Sequence, residues 1–212
     1  MPANRVTGET PWHVVLVLDD SGSMGGKPAS DLNDSLAAML AEMEVIAKGT
    51  KPYFKVSIVS FGSSARTIAE CKGERDVDTS AVAVFRGESG TTAADQGLRE
   101  AANILKRNPG KPSDFRPYVF FFSDGQPDDA ASALTAATEL KSLIIAAGTP
   151  TVIAVGLGSV NEQFMRSVAS NQEFYIHFTD SSQLIKLFPL IGTVAGSKAG
   201  GEQAINNVII NV

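Results

Sequence analysis

The chain has 212 residues, a formal charge of −5, 43% hydrophobic residues and one cysteine, which suits a single large domain with a buried core and excludes wholesale disorder. Mild acidity argues against bulk binding to a nucleic-acid backbone, no apolar run reaches the ~20 residues of a membrane-spanning helix, and Cys71 alone forms no internal disulfide. The opening Met1–Trp12 lacks the apolar centre of a signal peptide, so a soluble, cytoplasmic protein is expected.

Strands and helices alternate along the chain. His13–Leu18 is a short apolar run rich in β-branched residues, expected as a strand buried on both faces. From Pro28 to Lys48, Leu32, Leu36, Met39, Leu40, Met43 and Ile46 recur at helical spacing, with Gly49 as the stop. Phe54–Ser60 is a second strand. Ala65–Phe85 is more polar and broken by Gly73; it reads as an edge strand and a connection, with β-prone pieces at Arg66–Ile68 and Ala81–Phe85. A helix over Ala93–Arg107 is ended by Asn108-Pro109-Gly110. The strongly apolar strand Tyr118–Phe122 follows, then a helix over Asp129–Ala147 and a strand Thr151–Val155. A short helix near Glu162–Val168, a strand Phe174–Phe178 and a helix Ser182–Ile191 complete the series.

This alternation predicts an α/β fold: a doubly wound, mostly parallel sheet of about six strands, helices on both faces, and one antiparallel edge strand. The first strand should be central. Residues 1–10 read as an N-terminal tail, 11–193 as the domain and 194–212 as a C-terminal tail, either packed on the domain or serving as a partner-binding strand.

In open parallel sheets, ligands bind beyond the carboxyl ends of the strands. Three polar clusters fall there: Asp19-Asp20-Ser21-Gly22-Ser23 after the first strand, Gly90-Thr91-Thr92 at a helix start, and Ser123-Asp124-Gly125 after the most apolar strand. Two carboxylates with small hydroxyls make an oxygen-only site, the donor set that hard divalent cations select. Taken singly, each cluster is also a good turn or helix cap. His13 and His177 lie within strand patterns and read as core or edge histidines. Cys71 has no zinc spacing and reads as a buried or edge thiol. Gly-x-Ser-x-Gly and Gly-Lys-Ser/Thr motifs are absent. Lys27, Lys48, Lys51 and Lys55 read as scattered surface charge.

Asp19-x-Ser21-x-Ser23, a threonine about seventy residues later, and Asp124-Gly125 after an apolar strand together resemble the metal-ion-dependent adhesion site of von Willebrand factor A domains. The resemblance covers residues 11–193. Within the family the run Asp124-Gly125-Gln126-Pro127-Asp128-Asp129 is most similar to bacterial TerY-like domains of tellurite-resistance and stress systems. The resemblance implies that Ser21, Ser23 and Thr92 ligate a metal directly. Asp19 and Asp124 would act directly or through water, with one position open for a partner's carboxylate. Thr92 is preferred over Thr91 because the family's ligand lies six residues before the apolar position held here by Leu98.

Mg²⁺ is the expected ion, with Mn²⁺ or Ca²⁺ as alternatives. The implied activity is a metal-dependent protein-interaction module, not an enzyme, whose partner supplies a carboxylate; oligomeric state is left open. Asp20, Asp95, Asp128 and Asp129 are expected to ring the metal as an acidic collar, or else to cap helices. Two rival functions remain: an Mg²⁺-dependent phosphotransfer or phosphatase domain, suggested by the Asp19-Asp20 pair, and an oligomeric scaffold with a structural metal.

Overall fold

The computed structural model describes residues 6–47, 50–78, 80, 84–124, 126–184 and 187. The sheet is built from β1 (Trp12–Asp19), β2 (Phe54–Phe61), β3 (Ala65–Gly73), β4 (Phe115–Ser123), β5 (Thr151–Leu157) and β6 (Tyr175–Phe178). Its order is β3-β2-β1-β4-β5-β6, with β3 antiparallel to β2 and every other pair parallel. The helices are α1 (Lys27–Ile46), α2 (Ala94–Arg107), α3 (Ala130–Lys141) and α4 (Glu162–Val168). The doubly wound expectation, the antiparallel edge and the central first strand are all present.

Every residue of β1 is buried, whichever face its side chain takes. That is the reason a β-branched run without polar alternation forms this strand. On one face Trp12 packs edge-on against Tyr118, with ring centroids 5.2 Å apart, and contacts Phe54 and Phe115. On the other, Phe61 stacks on Phe121 at 5.4 Å. There α2 lies close to the sheet: a side chain at Gly97 would meet the Phe61 ring at 2.9 Å and Val17 at 3.0 Å. Pro117 has no N–H for the ladder, and the β1–β4 register shifts between Trp12 and Val14, where the proline sits.

Two boundaries differ from expectation. The helix expected to run to Ala147 stops at Lys141, where the Ser142 hydroxyl donates to the carbonyls of Thr138 and Glu139. Such local bonds compete with helix continuation. Ile144 beyond it is exposed. Phe174 belongs to a 3₁₀ turn before β6. Of the helix expected over 182–191, Leu184 and Leu187 are helical after a 3₁₀ turn at Ser181–Gln183, and the residues from 185 on other than Leu187 lie outside the described residues. Also outside them are Gly49, residues 81–83 and the C-terminal tail.

His13 is a core histidine, as expected. It is 8% exposed, and its Nε2 lies 2.8 Å from the Ser57 hydroxyl. Burial, helped by the Lys55 charge, lowers its pKa to about 4. The unfolded chain therefore binds the proton more readily, so stability is lost as pH falls from about 6.5 through 4. In urea titrations His13→Gln should remove about 3 kcal/mol of the acid-side loss.

Candidate metal centre

The strand order places a switch point between β1 and β4: the chain leaves β1 toward β2 and β3, then returns to the other side. Crevices form at such points, beyond the carboxyl ends of the strands. Asp19 ends β1 there, and Ser123 with Asp124 end and follow β4.

Asp19 is only 1% exposed. Its Oδ2 accepts from the Ser123 hydroxyl at 2.7 Å, across the switch point, and its Oδ1 accepts from the Ser21 N–H at 2.9 Å. Burial raises its pKa to about 6 against the pull of these hydrogen bonds, and the nearby charge of Asp124 adds to the rise. The Ser21 and Ser23 hydroxyls sit 3.2 Å apart, one buried and the other exposed.

The Thr92 loop is tied to the first loop by the Gly22 N–H, which donates to the Gly90 carbonyl at 3.0 Å. Thr92 itself is 7% exposed, and its hydroxyl has no hydrogen-bond partner among the described residues. Thr91 is exposed, with its hydroxyl 3.3 Å from that of Ser63, away from this buried position. Asp124 accepts from the Gln126 N–H at 3.1 Å, and its carbonyl receives the Asn161 N–H. Asp19, Ser21 and Ser23 thus cluster by direct bonds, Asp124 lies within electrostatic reach of Asp19, and the Thr92 loop is laced to the Ser21 loop.

The expected acidic collar is corrected at Asp20. Asp20 is 3% exposed and turned into the protein. Its carboxylate accepts from the Arg86 and Gly87 N–H groups at 2.9 and 2.8 Å and from the Ser89 hydroxyl at 2.5 Å. It clamps the 86–89 loop rather than facing the rim. Asp129 caps α3 by accepting from the Ser132 N–H, and Asp95 accepts from the Ser132 hydroxyl. Asp128 accepts from the Thr92 N–H at 3.1 Å, while its own N–H donates to the Thr92 carbonyl. These acids hold loops and helix starts together; Asp128 and Asp129 remain exposed.

Sequence spacing did not reveal the Asp20 clamp or the Ser123 bridge. The clamp requires Gly87, which has φ +67° and lies against Gly25; a Cβ there would approach the Gly25 nitrogen at 2.2 Å. Gly87→Ala should cost about 2 kcal/mol or more in urea denaturation, from the left-handed backbone and the displaced loop.

A groove of about 470 Å³ opens beside the cluster, lined by Ser23 and Asp124 and by Met24, Leu157, Gly158 and Asp180. Among the described residues, no group of three or more His, Cys, Asp or Glu side chains forms a metal cage. The donor set is hydroxyl-rich. A threonine hydroxyl with no partner among the described residues, two facing serine hydroxyls and two carboxylates fit a hard cation bound with water.

The model of the von Willebrand factor type A domain matches residues 13–189. The chain belongs to this family. The sequence has no match among curated proteins. Solved structures similar to this vWA domain include the pilus adhesin SpaC from Lactobacillus rhamnosus GG (TM-score 0.75, 15% identity, 92% of this chain and 32% of that one). Another is proximal thread matrix protein 1 from the mussel byssus, with a zinc-occupied metal-ion-dependent adhesion site (0.63, 20%, 89% and 48%). A third is the manganese-loaded TRAP protein of Plasmodium vivax (0.62, 22%, 87% and 75%). At these identities the likeness shows the fold. The chain spans about a third of the adhesin and about half of the thread protein. Among the described residues of this vWA domain, no helix is long and apolar enough to cross a membrane.

Proposed function

We propose that this vWA domain is a non-enzymatic, metal-dependent protein-interaction module. Ser21, Ser23 and Thr92 would hold a divalent cation, with Asp19 and Asp124 acting directly or through water. A partner's carboxylate would complete the coordination. The observation that carries this reading is the clustering of Asp19, Ser21, Ser23 and Asp124 at the sheet's switch point, with the Thr92 loop laced to the Ser21 loop, beside a groove lined by Ser23 and Asp124. The groove would seat the residues flanking the partner's acid. The zinc-occupied adhesion site of the thread protein and the manganese-loaded TRAP protein support the same reading. Mg²⁺ is the proposed ion, because few carboxylates and several hydroxyls suit a small cation that keeps its waters.

Burial of both acids weighs against the phosphotransfer alternative. Asp19 and Asp20 are nearly inaccessible and already accept hydrogen bonds, so neither carboxylate is presented to a phosphodonor. Membership of the TerY-like group, and with it a role in bacterial stress or tellurite resistance, is a finer proposal supported by the run Asp124–Asp129 alone.

Selection of displayed peptides on the Mg²⁺-loaded domain tests the proposal. Enriched peptides should carry an invariant Asp or Glu, and chelation or its replacement by Asn or Gln should abolish capture. Capture that survives both changes contradicts the reading.

A further inference from the structure

At the opposite end of the sheet, the amino ends of the strands carry a second, differently charged feature. Lys51, Lys55 and Lys111 line a groove of about 250 Å³, together with Glu9, Asp114 and Pro11. The linear sequence scatters these lysines; the fold gathers them. Lys55 is the second residue of β2, and Lys111 and Asp114 lie in the loop before β4. Lys51 pairs with Glu9. The Asp114 carboxylate is buried and accepts from the Lys111 backbone N–H at 2.9 Å. Neither the Lys55 nor the Lys111 ammonium has an ion-pair partner among the described residues.

Three lysines and two acids line the groove, a local positive excess on a chain of net charge −5. A smaller cleft of about 90 Å³ shares Pro11, Lys55 and Asp114 with the groove and continues between Phe115, Pro117 and Ile145. His13 and Cys71 also line it. Burial keeps both uncharged at neutral pH, by lowering the histidine's pKa and raising the thiol's. The cleft is therefore a mostly apolar recess that adjoins the lysine-lined groove at Pro11, Lys55 and Asp114.

We propose that this end of the domain binds a small molecule carrying an oxyanion head, a phosphate or a carboxylate, on a compact apolar group. The head lies between Lys55 and Lys111, and the apolar part enters the recess beside Phe115 and Ile145. Lysine is a compact point charge suited to such a head, and half-buried Lys55 lines both the groove and the recess. The site is independent of the metal centre at the far end of the strands.

Calorimetry of the full chain with phenyl phosphate tests it, with inorganic phosphate as comparator and EDTA present so that no divalent cation captures the phosphate. The expected result is saturable binding, tighter for phenyl phosphate than for phosphate. The double substitution Lys55→Gln with Lys111→Gln should weaken it roughly tenfold or more, as loss of charged hydrogen bonds does. Absence of saturable binding at millimolar phenyl phosphate, or an affinity unmoved by the double substitution, overturns the proposal. Replacing phenyl phosphate by benzoate distinguishes phosphate from carboxylate as the preferred head.

Discussion

Without divalent cations, Asp19→Asn will unfold at higher urea concentration than the parent chain above about pH 6, and the difference will vanish in acid. The parent carboxyl has a folded-state pKa of about 6 against an ordinary value of 3.8, with burial as the largest cause. The folded chain therefore holds this proton more tightly than the unfolded one. Stability from the protonated form is fully present below pH 3.8 and is lost as pH rises through 6. The shift corresponds to about 3 kcal/mol, which an uncharged isostere avoids. Asn retains an oxygen for the Ser21 N–H and gains an NH₂ that can donate to the Ser123 hydroxyl.

Function reverses the preference. Saturating Mn²⁺ or Mg²⁺ should raise the parent's melting temperature and leave the variant's unchanged, because only the carboxylate balances a cation. Metal must also compete with the proton, so the parent's apparent affinity should fall roughly tenfold per pH unit below about 6. A variant no more stable than the parent at neutral pH would show that Asp19 is not strained by its burial.

Asp20→Ala will destabilise the chain by about 4 kcal/mol, because it strands the buried N–H of Gly87, the N–H of Arg86 and the Ser89 hydroxyl. Asp20→Asn should cost much less, since its carbonyl oxygen can still accept from both backbone groups. The 86–89 loop leads into the Thr92 loop, and the Ser89 N–H also donates to the Asp20 carbonyl. Loss of the clamp should therefore loosen metal binding as well as stability. If Asp20 were a rim charge instead, both substitutions would weaken partner binding alike and leave the urea midpoint unmoved.

The contrast between these neighbours shows what the sequence could carry. The apolar, β-branched His13–Leu18 announces a strand buried on both faces, and the alternation with helices announces a parallel sheet. From these two facts the carboxyl end of β1, and Asp19 with it, falls at the ligand-binding edge. Nothing in the spacing says that Asp20 turns back into the protein, because its partners lie more than sixty residues away in a loop without periodicity. The end of α3 was hidden for a related reason. Leu143-Ile144-Ile145 continues an apolar pattern, but the Ser142 hydroxyl bonds back to the preceding turn and stops the helix. Lys55 and Lys111 are separated in the chain and meet only because β2 and the loop before β4 begin at the same end of the sheet.

Calorimetric titration of Mn²⁺ into the parent chain and into Ser23→Ala and Thr92→Ala tests the metal centre most directly. Ser23 is exposed and the Thr92 hydroxyl has no partner among the described residues, so neither change should disturb the fold. The account predicts one cation per parent chain, affinity at least roughly tenfold weaker in each variant, and unchanged urea midpoints without metal. Absence of saturable binding at millimolar Mn²⁺, or undiminished affinity in both variants, would contradict it.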